Sequence, residues 1–476
     1  MSRLKTGKKG KLLIAAVIIA IVFASTPYLA GSINKVVKKA TEIDDYSYMS
    51  QTLLGFNGEK HILLLLMNNA EARFGGGFIG TVGYVTTFKG SIKVDPIRSV
   101  YYYDRNFQIV NYRENSQFQP EAKGTPYNLR DGNQNLDWRY NGKRAEKIFE
   151  QESSKPVDMV VAITPEVLKF LLAKLGPLEV PEYKKTVTQD NLLESVQTEV
   201  EYGDDKKEGK DPKTILSYVA EGVLQKLQAK SINDLISLAK KGENLVGRKQ
   251  IVMYSGEKRL ARILNEANLD GALARTTSDF FIMGENNYSI DKSNAFIDRI
   301  LKRDITILPN GSAQVSISIN RKQNRPISYE YIDPHAPDIV TNLIRANKSS
   351  IHFALPKNSK IISRDGDTAV SKISSESGYD IYSFNSELEP LVVSDYRISY
   401  LLPFMYDMNS KSLDFASIVQ IQVGGWPYRL IESITLPDGW ALANSSKSEL
   451  RQNGSTSIYD NIVDKDQFFN FTYEKQ

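Results

Sequence analysis

The sequence contains no cysteine and only three histidines among 476 residues. The absence of cysteine excludes thiol nucleophiles, thiolate metal sites and disulfide bonds. The histidines, His61, His335 and His352, show no paired spacing. We therefore expect neither a histidine-based zinc site nor a catalytic triad.

The main part of the chain carries almost no net charge. The formal charge is +4 at pH 7, but Arg3, Lys5, Lys8, Lys9 and Lys11 contribute five cations near the N-terminus with no acidic residue among them. The remaining 55 basic residues (60 less these five) are balanced by 56 acidic residues. A basic nucleic-acid-binding surface is not indicated, so we expect no nucleic-acid partner.

A long hydrophobic run follows these cations. Residues 12–30, at about 1.5 Å per helical residue, nearly cross a hydrocarbon core of about 30 Å. The basic tail of residues 1–11 stays in the cytoplasm, which predicts a single-pass anchor in a bacterial cell membrane with the rest of the chain extracellular. A cleaved signal peptide is the alternative, because Val22-Phe23-Ala24 resembles a cleavage site. Both alternatives export the chain, and an exported protein without disulfides is more typical of bacteria.

The rest of the chain predicts a stalk and two domains. Residues 31–58 space their apolar side chains as in an amphipathic helical stalk that packs on the next domain. Residues 59–296 alternate strands and helices, which predicts an α/β domain with a mixed central sheet and flanking helices. Val100–Tyr103 and Asp279–Met283 are expected to be strands of that domain. Residues 297–476 contain short alternating strands between turn residues, which predicts a C-terminal all-β sandwich.

The stretch from His61 to Gly80 is the expected location of a site. Its apolar run Ile62–Met67 predicts a strand buried on both faces, followed by a polar segment and three glycines. α/β proteins place ligands at such strand ends. Gly75–Gly80 fits G-x-G-x-x-G, but a strand-like sequence follows instead of a helix, which excludes a dinucleotide fold. An anion-binding nest and a close-packed turn remain as alternatives.

Charged and amide residues near the predicted strand ends form the candidate ligand-binding set. Arginine binds phosphate or carboxylate in bidentate geometry, and carboxylates can hold a divalent metal ion such as Mg²⁺ or act as general bases. We predict that Arg73, Arg105 and Arg130 converge in one open pocket. The alternative is a structural ion-pair network that fixes the long polar segment on the sheet. The full set is Asn68, Asn69, Glu71, Arg73, Gly76, Gly77, Asp104, Arg105, Arg130, Asp131, Asn133 and Asp137.

Several segments together carry a family resemblance. They are Leu63–Arg73 with Gly76–Gly80, Leu129–Asn133 with Asp137, Val157–Ile163, Leu175–Val180 and Phe353–Ser359. On these segments the chain resembles the bacterial domain of unknown function 4012 family. The resemblance implies a membrane-anchored protein at the bacterial surface, and it implies no particular activity.

A more distant similarity, in the order of elements, is to the LytR-CpsA-Psr phosphotransferases, which attach glycopolymers to the cell wall from polyprenyl-pyrophosphate donors. Asp104-Arg105 stands near the Arg-Asp element of that family, but in reversed order. Arg73-Phe74-Gly75 stands where that family has Arg-Ser-Asp, so the acid is missing. Either Glu71 substitutes for this acid or the catalysis is absent.

Three functions remain open. The leading one is a membrane-anchored cell-surface protein whose α/β domain binds an anionic cell-envelope ligand, such as a lipid-linked or wall glycopolymer phosphate. The second is a metal-assisted phosphotransferase of envelope glycopolymers. The third is a non-catalytic structural or adhesive surface protein. Convergence of the three arginines in an open pocket would separate the first two from the third.

Overall fold

The computed structural model describes residues 44–104, 128–208, 214–289, 292–324, 346–365 and 370–476. These fall into two compact units. Of the described residues, the first unit contains 44–69, 75–104 and those from 128 to 272, and the second contains Ala70–Phe74 and those from 273 to 476. The predicted tail, the predicted anchor and residues 31–43 of the predicted stalk lie outside the described residues. Within the described ranges, no helix is long and apolar enough to cross a membrane.

A mixed six-stranded sheet forms the centre of the first unit. Its strands are β1 (Lys60–Asn68), β2 (Phe78–Phe88), β3 (Ser91–Val94), β4 (Arg98–Ser99), β5 (Met159–Ile163) and β8 (Ile251–Tyr254), and β6 (Leu178–Val180) with β7 (Lys185–Val187) forms a separate hairpin. The sheet order is β3-β2-β1-β5-β8, with β4 paired to β2. Strand β1 is antiparallel to β2 and parallel to β5. Its apolar residues Ile62–Leu65 are all buried, as the unbroken hydrophobic run predicts.

Helices pack on this sheet. The described helices are α1 (Asp44–Leu53), α2 (Val100–Tyr103), α3 (Trp138–Ser153), α4 (Pro165–Leu175), α5 (Leu192–Tyr202), α6 (Asp204–Lys207), α7 (Thr214–Gln228), α8 (Ile232–Gly247) and α9 (Lys258–Glu266). Helix α1 buries Met49 and Leu53 in the hydrophobic core of the first unit. Residues Asp44–Leu53 of the predicted stalk are therefore helical and packed, and a turn follows them.

The prediction of a strand at Val100–Tyr103 is wrong, because these residues form the one-turn helix α2. Val100 and Tyr103 are buried, whereas Tyr101 and Tyr102 are about half exposed. Burial of positions i and i+3 is the helical pattern, while a strand would bury alternate residues. The aromatic residues alone favour a strand, but the burial of one face decides the local structure.

The second unit contains two seven-stranded sheets. Their strands are β9 (Asp279–Asn287), β10 (Ile297–Ile307), β11 (Ser312–Gln323), β12 (Asn347–Pro356), β13 (Lys360–Asp365), β14 (Ser371–Glu376), β15 (Tyr379–Leu388), β16 (Val393–Met405), β17 (Ser412–Gln420), β18 (Tyr428–Thr435), β19 (Trp440–Ser445), β20 (Leu450–Asn453), β21 (Thr456–Val463) and β22 (Gln467–Lys475). One sheet has the order β14-β15-β12-β9-β17-β22-β19 and the other β13-β16-β11-β10-β18-β21-β20. Both sheets contribute side chains to one hydrophobic core, so the unit is sandwich-like.

The second unit begins earlier in the chain than the expected boundary at residue 297. Strand β9 was expected to complete the α/β domain, but it lies between β12 and β17 in a sheet of the sandwich. The boundary between the units falls at Leu273. The hydrophobic pattern identifies β9 as a strand but does not say which sheet it joins, because pairing depends on distant partners.

A fully buried ion-pair cluster lies in the sandwich core. Arg303 on β10 donates from Nη2 to Asp279 at 2.5 Å and from Nη1 to Glu432 at 2.9 Å. All three side chains are fully buried. Two carboxyl groups thus face one guanidinium. Burial raises the pKa of Glu432 to about 7, although Arg303 opposes the shift.

Candidate functional site

The glycines after β1 form a close-packed turn. Gly76 and Gly77 have φ values of 121° and 141°. A Cβ atom at Gly77 would lie 2.5 Å from the carbonyl oxygen of Asn68. The side chain of Asn133 donates to the carbonyl oxygen of Gly77 at 3.0 Å, and the backbone carbonyl oxygen of Asn133 accepts from the N–H of Gly75 at 3.2 Å. Of the two alternatives for this motif, the geometry favours the close-packed turn, since one glycine N–H is already donated within the protein.

A buried arginine holds the loop that carries Asn133. Arg144 on α3 is fully buried and donates to the carbonyl oxygen of Gly132 at 2.6 Å and to the Asn135 side chain at 2.7 Å. Asn141 donates to the carbonyl oxygen of Asn135 at 2.8 Å. The segment around the candidate residue Asn133 is therefore fixed by hydrogen bonds from a helix, which supports a structural role for these polar groups.

Three candidate residues, Asp104, Arg130 and Asp131, lie together beside α2. Asp104 accepts from the backbone N–H of Leu129 at 3.0 Å and from Arg130 Nη1 at 3.3 Å. Arg130 Nε also lies 3.3 Å from Asp131. The Arg130 side chain is one-third exposed, so it remains accessible from solvent.

A third acid, Glu152 at the end of α3, joins this group. Burial raises the pKa of Asp104 to about 6, against the opposing charge of Arg130. Burial and the neighbouring Asp104 raise the pKa of Glu152 to about 8, so Glu152 holds its proton at pH 7. A proton-holding carboxyl next to an ionised one is an arrangement that can donate or accept a proton near neutral pH.

Asp137 has a local structural partner. It precedes α3 as the N-cap residue and accepts from the backbone N–H of Arg139 at 3.1 Å. The guanidinium of Arg139 also donates to both carboxylate oxygens, at 2.9 and 2.5 Å. A fully buried aspartate at this position stabilises the start of the helix by satisfying an N–H group that has no partner within the helix.

Glu71 and Arg73 belong to the second unit. Arg73 donates to Glu71 at 2.8 Å and to the carbonyl oxygen of Asn287 at 2.7 Å. Lys292 also pairs with Glu71. Burial alone would raise the pKa of Glu71, but Lys292 and Arg73 outweigh it and lower the pKa below its usual value.

A second buried glutamate that is held by two cations lies in this unit. Glu285 accepts from both Arg299 nitrogens Nε and Nη2, at 2.8 and 2.7 Å, and from Arg321 Nε at 3.1 Å. All three side chains are buried. The two arginines lower the pKa of Glu285 against the opposing effect of burial. Such buried, fully engaged pairs are structural groups of the sandwich.

The structure thus divides the candidate residues among four places. Asn68, Gly77 and Asn133 meet at the glycine turn, Asp104, Arg130 and Asp131 meet beside α2, Asp137 caps α3, and Glu71 pairs with Arg73 in the second unit. Asn69 is buried at the end of β1 in the first unit, and Gly76 lies within the turn.

Two expectations about the site are left: the convergence of the three arginines and the binding of a metal ion. Arg105 lies outside the described residues, so the convergence of three arginines in one pocket stays a prediction. Arg73 and Arg130 are assigned to different units, and each is paired with carboxylates. For a metal ion such as Mg²⁺, the described ranges contain no group of three or more histidine, cysteine or acidic side chains placed to hold it.

An apolar cavity of about 170 Å³ lies beside β1 in the first unit. It is lined by Leu64 and Leu66 of β1, Ile163 at the end of β5 and Leu168 of α4. The rest of the lining is Val94 at the end of β3, Asp95–Ile97 before β4, and Ala220, Glu221 and Leu224 of α7. The hydroxyl of Ser217 on α7 donates to the carbonyl oxygen of Ile97 at 2.8 Å, which fixes this loop to the helix.

The rim of the cavity is charged. Asp95 lines it and accepts from Lys155 at 2.7 Å, while Lys93 lies 3.8 Å away. The two lysine side chains are 42% and 80% exposed, so both are available to an anion from solvent. Glu221 also lines the cavity, so two carboxylates balance the two lysines, and the cavity combines an apolar interior with an edge that carries charges of both signs.

Sequence reasoning missed Glu152, Arg144 and the cavity. Glu152 and Arg144 lie on a polar helix whose sequence gives no sign of which charged residues point inward. The cavity residues occupy ordinary apolar positions of strands and helices, which predict a filled core. The run Asp95-Pro96-Ile97, which interrupts the sheet with proline, is the one local signal for an irregular wall.

Solved structures give partial likenesses of low sequence identity. A protein from Streptococcus agalactiae is 15% identical over 45% of this chain and 75% of that chain, with a TM-score of 0.25. A transcriptional regulator from Enterococcus faecalis is 10% identical over 45% and 74%, with a TM-score of 0.23. An M1 zinc metallopeptidase from Deinococcus radiodurans is 9% identical over 37% and 42%, with a TM-score of 0.21. At these TM-scores the likenesses say nothing about function.

No curated protein matches the chain. A family model does match, and it covers the part of the first unit from β1 into α5, including the glycine turn and the Leu129–Asn133 segment. Residues 57–200 match the family described as Protein of unknown function (DUF4012), so the family resemblance predicted from the sequence is confirmed over that segment.

Proposed function

We propose that the chain is a membrane-anchored bacterial cell-surface protein whose first unit binds a lipid-linked anionic ligand of the cell envelope, such as a glycopolymer phosphate. Residues 12–30 form the anchor in this proposal, and the two units are extracellular. The observation that supports the ligand class is the apolar cavity beside β1, together with the two lysines that approach its lining residue Asp95. The near-neutral charge of the remaining chain argues against a nucleic-acid partner.

The interior of the cavity suits a hydrocarbon chain. Its volume of about 170 Å³ is close to the roughly 150 Å³ of an engineered apolar cavity that binds benzene. This is space for about one isoprene unit, or five carbons. At about 0.8 kcal/mol for each buried carbon, such a group contributes up to about 4 kcal/mol of binding free energy. Losing part of this hydrophobic binding free energy is therefore measurable as a change in affinity.

The rim suits a phosphate. Lys93 and Lys155 approach the carboxylate of Asp95 from two directions and remain partly exposed. A phosphate that carries more negative charge than one carboxylate can recruit both ammonium groups without breaking a buried contact. An amphiphile with its chain in the cavity and its phosphate at this rim therefore satisfies both parts of the site.

The experiment uses the full chain in lipid nanodiscs, with calorimetric titration of geranyl pyrophosphate, geraniol and inorganic pyrophosphate against empty nanodiscs. We expect geranyl pyrophosphate to bind at least about tenfold more tightly than either partial ligand, since only it occupies both the cavity and the rim. Ala220→Leu places a side chain into the cavity and is expected to weaken geranyl pyrophosphate binding at least about tenfold. Gln225→Leu adds the same side chain to an exposed position of α7 and is expected to change nothing.

The lysines are tested separately. Lys155→Gln is expected to weaken geranyl pyrophosphate binding and to leave geraniol binding unchanged, because it removes charge from the rim and not volume from the cavity. Lys174→Gln, an exposed lysine near the end of α4, is the control. Equal affinity for geranyl and inorganic pyrophosphate, or full affinity in Ala220→Leu, would contradict the proposal.

A further inference from the structure

A second cavity, open and polar, lies on the outer side of α4 and α8 in the first unit. Its volume is about 470 Å³, which is within the range of about 300–1,000 Å³ that ligand sites occupy. Helix α4 buries Leu168, Leu171 and Leu172, so Lys169 and Phe170 are turned toward this groove. Gln189 and Asp190, between β7 and α5, also line it.

The apolar part of the lining is Phe170, Ala173 and Leu245, which includes one aromatic ring. Phe170 is half-buried and packs toward Gly242 of α8, where a Cβ atom would lie 3.3 Å from the ring atom Cε1. Leu245, which is buried, lines the groove beside it. The ring lies this close to the helix because residue 242 has no side chain. A glycine inside a helix lowers helix stability by about 1 kcal/mol relative to alanine. A flat apolar surface bordered by polar groups is what the face of a sugar ring requires.

The charges in the groove leave one cation available. Lys169 pairs with Glu166 at 2.9 Å, and Arg248 lies 3.9 Å from the same carboxylate. Lys241 and Asp190 form no ion pair with any described residue. Three cations and two carboxylates give the groove a net charge of one positive unit. That single charge matches one carboxylate of a ligand, whereas a di- or triphosphate would need several converging donors.

Hydrogen-bonding groups complete the lining. Gln189 and Asn244 carry amides that both donate and accept, and Asp190 accepts. Sugar hydroxyls also donate and accept, so the two sets of groups complement each other. We infer that this groove binds a short acidic oligosaccharide, with one sugar ring on Phe170 and a carboxylate of the sugar at Lys241.

This groove is separate from the apolar cavity. Leu168 lines the apolar cavity, and the next residue, Lys169, lines the polar groove, so helix α4 lies between them. The inference therefore does not rest on the proposed function. A failure of lipid binding leaves it intact, and its own failure leaves the lipid cavity intact.

The test uses the full chain in nanodiscs and titrates trigalacturonate, an acidic trisaccharide, and galactotriose, its neutral counterpart. We expect trigalacturonate to bind more tightly than galactotriose. Lys241→Gln is expected to weaken trigalacturonate at least about fivefold with galactotriose unchanged, because one charge-assisted hydrogen bond is lost. Lys240→Gln, an exposed neighbour on α8 that does not line the groove, is the control and is expected to have no effect.

Phe170→Ala is expected to weaken both trisaccharides, and a cooperative urea unfolding transition confirms that this variant is folded. No binding of trigalacturonate overturns the inference. Equal weakening by Lys241→Gln and Lys240→Gln also overturns it, since that result shows attraction to the general charge of α8. Tighter binding of inorganic phosphate than of trigalacturonate overturns the carbohydrate assignment.

Discussion

Replacement of Glu432 by glutamine is expected to change how the stability of the sandwich depends on pH. Glu432 is fully buried beside Arg303, which it shares with Asp279. Its pKa in the folded protein is about 7, raised by burial from an ordinary value of 4.5. The folded state therefore binds this proton more tightly than the unfolded state does. The stability contributed by the protonated group is fully present below pH 4.5 and is lost as the pH rises to about 7.

The size of this effect follows from the two pKa values. Their difference, at about 1.4 kcal/mol for each pH unit, gives about 3 kcal/mol as the upper limit of the stability lost between pH 4.5 and 7. Glutamine has nearly the same shape and does not titrate. The variant should therefore gain stability relative to the wild type by up to about 3 kcal/mol as the pH rises through this window.

Urea unfolding at pH 5, 6, 7 and 8 measures this difference. Pulsed hydrogen exchange of peptides from β10 and β18 reports on the sandwich alone. Glu474→Gln, an exposed residue of β22, is the control and should parallel the wild type at every pH. A stability difference between Glu432→Gln and the wild type that stays constant from pH 5 to pH 8 would refute the argument, because it would show that Glu432 titrates normally in the folded state.

Two further substitutions test the structural sites. Gly77→Ala should destabilise the first unit by about 1–3 kcal/mol in urea unfolding, because its φ is 141° and the new Cβ would meet a backbone oxygen at 2.5 Å. Gly58→Ala, which has positive φ but no atom within 4 Å, should cost less, and an equal cost would exclude the close contact as the cause. Glu285→Gln should destabilise the sandwich by about 3–5 kcal/mol, because it leaves two buried arginines without a charged partner. Glu387→Gln, at an exposed ion pair, should leave the unfolding midpoint unchanged, and a similar midpoint for Glu285→Gln would contradict the assigned role.

Local signals predicted elements well where the chain carries chemical start and stop residues. Thr164 followed by Pro165 is a sequence pattern that indicates a helix start and Gly176 one that indicates an end, and α4 runs from Pro165 to Leu175 between them. These signals are properties of neighbouring residues, so no tertiary information is needed. The alternation of Val315, Ile317 and Ile319 likewise marked a strand with one buried face, which is β11.

Which distant residues and strands pair with each other could not be predicted in the same way. Glu71 pairs with Lys292, which is 221 residues away in the chain, and no pattern in a single sequence links the two. For the same reason β9 was identified as a strand but given to the wrong sheet. The charged residues near β1 were expected to form one site, yet Asp104 and Glu71 each satisfy separate local networks. Charge and position in sequence indicate where polar groups accumulate, but the fold decides which of them meet.

The five residues Ala70–Phe74 have a consequence for how the protein can be divided. They lie between β1 and β2 in the chain, but they are part of the sandwich unit, where Phe74 stacks on His352 at 3.7 Å. A truncated chain that begins at Leu273 would lack this piece and would expose Asn287 and Lys292, which it normally covers. The sandwich is therefore not a separable C-terminal module, and it reaches its complete form only when the peptide Ala70–Phe74 is also present.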